Sequence, residues 1–242
     1  MAARNDVELL AANRQFYDRL WSAARLVGPE RFNTWPLVRE LSATAARRLE
    51  VAPGLRPRLP ISGTCFADIS APAMRALRTA GGRAVLGQVT ALPFADAGFD
   101  LVCALDIVEH VDDDAMAFAE LARVAAPGAT LLLAVPLHAA NWTAFDAFVG
   151  HRRRYEPATL VKILAAHGFR IERSAVYGMQ PRSTWLLDVG VWFLQYQHVR
   201  AMWWYNRVGM PLALRRERPL ALRDGLIATA DINTALLVCR KD

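Results

Sequence analysis

The sequence predicts an α/β domain with a mostly parallel sheet and helices on both faces. Short apolar runs recur along the chain. Amphipathic stretches of ten or more residues separate many of them. Gly and Pro mark several of the switches between the two patterns.

Each element follows from local pattern. Residues 7–27 place Val7, Leu10, Phe16, Tyr17, Leu20 and Trp21 near helical spacing. A second helix is expected over residues 36–47, entered from Asn33-Thr34-Trp35, and then a strand over 48–52 that ends at Pro53-Gly54. Pro57 and Pro60 forbid a regular helix in the connection to the next strand, residues 64–67. A helix over 72–80 stops at Gly81-Gly82, and strands are expected at 84–89 and 99–105. A helix over 113–125, a strand over 130–135, a helix over 157–166 and a strand over 170–177 continue the alternation. The stretch 183–214 differs: Trp185, Leu186, Trp192, Phe193, Leu194, Tyr196, Trp203, Trp204 and Tyr205 are interrupted by Asp188, His198 and Arg200. It predicts one or two amphipathic helices before a closing strand at 234–239.

The chain has 242 residues, which fits one domain in three parts: a helical cap (1–47), a core (48–180), and a helical insertion with the closing strand (181–242). A hydrophobic fraction of 54% against 21% charged residues excludes disorder. The net charge of +6 is carried almost entirely by arginine, Lys162 and Lys241 being the only lysines. No basic run or nucleic-acid signature accompanies it, so scattered surface arginines are favoured and no nucleic-acid partner is expected. Cys65, Cys103 and Cys239 lack metal-ligand spacing and read as buried free thiols. No apolar span reaches transmembrane length, and a cytoplasmic protein is expected. No metal ligands are assigned.

In an open parallel sheet, ligands bind beyond the carboxyl ends of the strands. Those positions here are Glu50 to Gly54, Asp68-Ile69-Ser70, Gln88, and Asp106 to His110. Asp68 can accept both hydroxyls of a ribose, or it can cap the following helix. Gly54 either lets a ligand approach the backbone closely or serves the turn after Pro53.

Leu92-Pro93-Phe94-Ala95-Asp96 through Phe99-Asp100, followed by Asp106-Ile107-Val108-Glu109-His110-Val111, resembles the class I S-adenosylmethionine-dependent methyltransferases of type 11. A later stretch, from Val135-Pro136-Leu137-His138 through Trp142 and Asp146 to Gly150-His151 and Arg153-Arg154-Tyr155, is similar to a subset of them. The resemblance implies a Rossmann-like methyltransferase fold with seven strands, and S-adenosylmethionine as cofactor. It implies that Glu50, Ala52 and Gly54 line the methionine and ribose side. Asp68 and Ile69 would meet the ribose, Gln88, Val89 and Leu92 the adenine, and Asp106 the sulfonium region. His110, His138 and His151 are the candidate bases, and His151, Arg154 and Tyr155 the candidate grip on an anionic or apolar small-molecule acceptor.

The sequence departs from the family where cofactor binding is decided. The glycine-rich loop has Ala52 and Arg56 at glycine positions, Gln88 replaces an acid, and the first crossover is short for a helix. A second reading is therefore a degenerate methyltransferase fold that serves as a binding or scaffold subunit. The loop also excludes a pyrophosphate cradle of the nicotinamide type. The aromatic stretch 183–214 has three readings: a lid, a membrane-surface helix, or, favoured, packing against the sheet edge or a homodimer interface.

Overall fold

The computed structural model describes residues 2–178, 189–190, 192–193 and 196–242. Trp185, Leu186, Asp188 and Leu194 lie outside the described residues.

Eight strands form one sheet in the order β3-β2-β1-β4-β5-β8-β6-β7. They are β1 (Arg48–Val51), β2 (Thr64–Asp68), β3 (Arg83–Leu86), β4 (Phe99–Leu105), β5 (Ala125–Pro136), β6 (Phe169–Val176), β7 (Arg223–Asp224) and β8 (Thr234–Lys241). Strands β1 to β5 pair in parallel, while β8 runs antiparallel to both β5 and β6. The expected seven strands become eight because a two-residue edge strand, β7, pairs with β6. The expected strand at 84–89 ends at Leu86, so Gln88 and Val89 fall in a turn where Gln88 bridges Ala91.

Both faces of the sheet are buried, which explains why its central strands read as continuous apolar runs. Val102, Ala104, Leu131, Leu133 and Leu237 face one core, with Phe118 and Leu121 of α4 (Asp114–Val124) and Leu160 and Leu164 of α6 (Pro157–Ala166). The alternate residues Leu101, Cys103, Leu132, Ala134 and Leu236 face the other core, with Leu37 and Val38 of α2 (Trp35–Thr44). Phe66 and Ala84 pack on Met74 and Leu77 of α3 (Ala71–Thr79). All three cysteines are free thiols, with Cys103 and Cys239 fully buried.

The crossover from β1 to β2 contains no helix, as its prolines require. Its chain instead folds back on Glu50, whose carboxylate accepts the amides of Arg58 (2.8 Å) and Leu59 (2.9 Å). Leu59 is buried in the core under α2. The Arg58 guanidinium lies 3.5 Å from the centre of the Phe32 ring and donates to the Tyr177 hydroxyl at 3.1 Å.

The aromatic region contains α7 (His198–Trp204), a π turn (Tyr205–Gly209) and α8 (Met210–Arg216). No described helix is long and apolar enough to cross a membrane.

Candidate functional site

The carboxyl ends of β1, β4 and β5 are marked by strained backbone. Ala52 (φ 55°), Asp106 (φ 51°) and His138 (φ 59°) are three of the four described non-glycine residues with positive φ, and each lies at most two residues beyond its strand. Such strain collects where a fold holds a functional edge in place. Ala52 keeps the left-handed turn that the family assigns to glycine, and Gly54 follows it at φ 53°. The Gly54 amide donates to Asp68 Oδ2 at 2.9 Å, and Ser70 donates to Oδ1 at 2.8 Å. Asp68 thus joins the ends of β1 and β2. Burial pushes its carboxyl up to about 6 against those amides, and burial pushes Glu50 up to about 7.

Sequence reasoning missed what covers this edge. Helix α1 (Ala2–Ala23) lies across it. Arg14 donates to the Ile69 carbonyl (3.1 Å), and Asp18 accepts from the Ser70 hydroxyl (2.8 Å) and the Ala71 amide (3.1 Å). Trp21 lies so close to Gly54 that a Cβ there would stand 2.2 Å from the indole. Arg56, at the family's third glycine position, is the clamp. It donates to the Arg25 carbonyl, and its guanidinium lies 5.7 Å from the Trp21 ring centre and 5.3 Å from that of Tyr205. An amphipathic pattern announces a helix but not the surface on which it docks, so no sequence signal identified Trp21 or Tyr17.

Among the adenine-side candidates, Val89 and Leu92 are buried, and Gln88 and Ile69 are half-buried. The Leu92 amide donates to Glu120 at 2.7 Å, which fixes the loop before β4.

The second half of the edge is a buried polar cluster. Glu109 and His110 belong to a short 3-10 turn after β4, and the loop after α5 (Ala144–Val149) brings His151 beside them. The Arg152 amide donates to the Glu109 carbonyl at 2.7 Å and pins that loop. The His110 and His151 rings meet edge to face with centres 4.5 Å apart. His151 Nδ1 pairs with Asp146 Oδ1 at 2.8 Å, and its Nε2 lies 3.8 Å from Glu109. Asp146 caps α5 through Thr143, and hydrogen bonds from His151, Arg154 and Thr143 outweigh burial to hold its carboxyl below the usual range. Burial raises Glu109 well above its ordinary value, helped by Asp106. Burial lowers His110 to about 3, with His151 adding to the shift. Tyr17 packs edge-on against His110 and donates to the Val149 carbonyl at 3.3 Å.

The structure turns the expected acceptor grip inward. Arg154 is buried and spends its guanidinium on Asp146 (2.8 and 3.1 Å) and the Leu137 carbonyl (3.2 Å). Tyr155 is buried too, its hydroxyl on Asp114 at 3.0 Å. His138 has separate partners, with its Nε2 2.7 Å from the Thr229 carbonyl. His110, His151, Asp106 and Glu109 are the candidates that the fold brings together.

Residues 57–133 match the family described as methyltransferase domain, so the match begins just beyond the altered loop at Ala52 to Arg56. The chain is 31% identical over 90 residues to a probable S-adenosylmethionine-dependent methyltransferase of Mycolicibacterium smegmatis, covering 36% of this chain and 34% of that protein. It is 42% identical over 48 residues to norajmaline N-methyltransferase of Rauvolfia serpentina, covering 20% of this chain and 16% of that protein. The matches therefore span about a third and about a sixth of those relatives. Among solved structures, a SAM-dependent methyltransferase of Thermotoga maritima superposes with a TM-score of 0.58 at 13% identity, covering 88% of this chain and 91% of that one. A [4+2]-cyclase superposes with a TM-score of 0.56 at 19% identity, covering 85% and 78%. These likenesses establish the fold alone, since the same scaffold carries a cyclase. Residues 57–133 match the methyltransferase-domain family, and the whole sheet has the fold of the solved methyltransferase structures it superposes on.

Proposed function

We propose that the chain binds S-adenosylmethionine at the carboxyl ends of β1 to β4 and transfers its methyl group to a small-molecule acceptor. The observation that carries this reading is the floor formed by Gly54 and Asp68. Gly54 presents backbone without a Cβ, Asp68 presents a carboxylate beside it, and an aromatic ring, Trp21, already lies against that floor. Glu50, Ala52, Gly54, Asp68 and Ile69 would hold the methionine and ribose portion once α1 moves aside. Gln88, Val89 and Leu92 would hold the base, Gln88 through its amide carbonyl.

The bound cofactor supplies an electrophilic methyl on sulfur. The chain's own contribution is placement, because in-line positioning supplies much of the rate of such a displacement. Asp106, Glu109, His110 and His151 stand at the end of β4, where an acceptor would meet that methyl. A hydroxyl acceptor must lose a proton, and His151, oriented by Asp146, is a base placed to take it.

Calorimetry with S-adenosylmethionine and S-adenosylhomocysteine tests the reading on the wild-type chain and on Trp21→Ala. Saturable binding to both, tighter for Trp21→Ala, is expected. Absence of binding in both proteins overturns it in favour of the scaffold reading. That second reading draws support from the amides already occupying Glu50 and Asp68 and from Arg56 clamping Trp21 over Gly54.

A further inference from the structure

We propose that Glu109, His110 and His151 bind a divalent transition-metal ion at the end of β4, beneath Tyr17 of α1. One ligand atom from each of these residues can be chosen so that all three lie within 4.8 Å of one another. Two ligands on one ion are at most ~4.2 Å apart for metal–ligand bonds of ~2.0–2.2 Å. The 3.8 Å between His151 Nε2 and Glu109 already satisfies that limit, and the widest pair closes by ~1–1.5 Å of side-chain rotation.

Three features point to an ion rather than to a packed polar core. First, Glu109 is fully buried, and neither of its oxygens has a hydrogen-bond partner; His110 Nδ1 is buried and unpartnered as well. Buried polar atoms rarely go unsatisfied, and a carboxylate with both oxygens bare is costly for a core to keep. Second, the tautomer of His151 is set from outside the cluster. Asp146 accepts a hydrogen bond from Nδ1–H of His151, which leaves a lone pair on the Nε2 that faces Glu109. The unpartnered Nδ1 of His110 offers a second lone pair when its proton sits on Nε2. Carboxylates and backbone carbonyls behind imidazoles are the usual supports of metal-ligating histidines. Third, the local charge invites a cation. Asp106 lies three residues before Glu109, Asp146 lies on the other side of His151 from Glu109, and Arg154 is bound to Asp146.

Two imidazoles and one carboxylate suit zinc, cobalt, manganese or iron better than magnesium or calcium. Three protein ligands leave coordination positions open for a water or a further donor. Metal binding needs neither cofactor nor acceptor, but a bound ion takes the Nε2 lone pair of His151, so an occupied site would exclude the general-base role proposed for His151.

The test uses tag-free, chelator-treated full-length chain titrated with Co²⁺ and Zn²⁺ alone, without S-adenosylmethionine. One ion per chain is expected, with visible Co²⁺ absorption bands and the largest, through-bond paramagnetic shifts on the His110 and His151 ring signals. Glu109→Gln and His151→Ala abolish the absorption, and Asp146→Asn weakens affinity by about 10–100-fold while keeping one ion per chain. His167→Ala, whose ring serves the end of α6, binds as wild type. The paramagnetic shifts identify the ligands in the wild-type chain should a ligand variant fail to fold. Absence of saturable binding to the folded wild-type chain overturns the proposal. So does binding that survives Glu109→Gln unchanged, or paramagnetic shifts that fall on His138, His167 or His198 instead.

Discussion

Arg154→Met removes the cation from the most deeply buried ion pair beside the site. The guanidinium donates to both Asp146 oxygens and to the Leu137 carbonyl, and both side chains of the pair are almost wholly buried. Methionine roughly matches the length of the stem but leaves Asp146 as an uncompensated buried charge. Breaking such a pair costs about 3–5 kcal/mol, against less than ~1 for an exposed pair. For a chain of this size each kcal/mol moves the midpoint by about 2–4 °C, so a fall of roughly 6–20 °C is expected in calorimetric melting. Urea unfolding followed by circular dichroism gives the same quantity independently. The pH dependence has a definite sign. Asp146 titrates below its ordinary range in the folded chain, so its contribution is present above the unfolded value near ~4 and is lost as pH falls toward the depressed one. In Arg154→Met the folded value rises toward the unfolded one, so the acid-side loss still begins at ~4 but is smaller and ends at higher pH. A cost below about 1 kcal/mol, or an acid limb that does not move, would refute the assignment of Arg154 as an internal clamp.

Ala52→Gly relieves a left-handed alanine worth about 1–2 kcal/mol of strain and gives back about 0.4–1 in chain entropy. A net gain of roughly 0.5–1 kcal/mol in urea unfolding is expected; a loss would show that the alanine methyl's packing dominates. Glu50 titrates near 7 in the folded chain, above its unfolded value of ~4.3, so its contribution favours folding at low pH and is lost as pH rises from about 4 to about 7. Wild type should therefore lose up to roughly 3 kcal/mol over that window relative to Glu50→Gln, measured as stability against pH; parallel profiles count against a buried, proton-binding Glu50. Trp192, Trp203 and Trp204 are each more than half exposed, and a homodimer through this region predicts that Trp203→Glu with Trp204→Glu shifts a dimer to monomer in light scattering. A wild-type chain that is already monomeric rejects that interface.

The core elements were legible because their physics is local. Alternate residues of β4 and β5 face two different cores, so both strands had to be apolar throughout, and the stops at Gly81 and Gly168 needed only chain geometry. The crossover after β1 was legible through its prolines. The site was readable only in part. Asp68 and Glu109 could be placed at strand ends from order alone, but whether their oxygens face a ligand, an amide or nothing depends on segments far away in sequence. Arg154 and Tyr155 looked like a surface grip because a basic cluster in a loop reads as exposed; the fold turns them onto Asp146 and Asp114. Trp21 and Tyr17 carried no chemical motif. Their importance comes from where α1 docks, and that is set by groups about 50 to 130 residues away, among them the Ile69 and Val149 carbonyls.

If the Gly54–Asp68 edge binds the cofactor as proposed, the placement of α1 gives the site a ligand of its own. An indole tethered beside its binding floor acts at an effective concentration of about millimolar, and an incoming molecule competes with it rather than with water. The apparent affinity of the open site is scaled by the fraction of chains in which the helix has let go. Each 1.4 kcal/mol held by Arg14, Asp18, Trp21 and Arg56 then costs a solute about tenfold in apparent affinity. A partner or modification that loosens those four anchors would sensitise the site without touching a single residue in it.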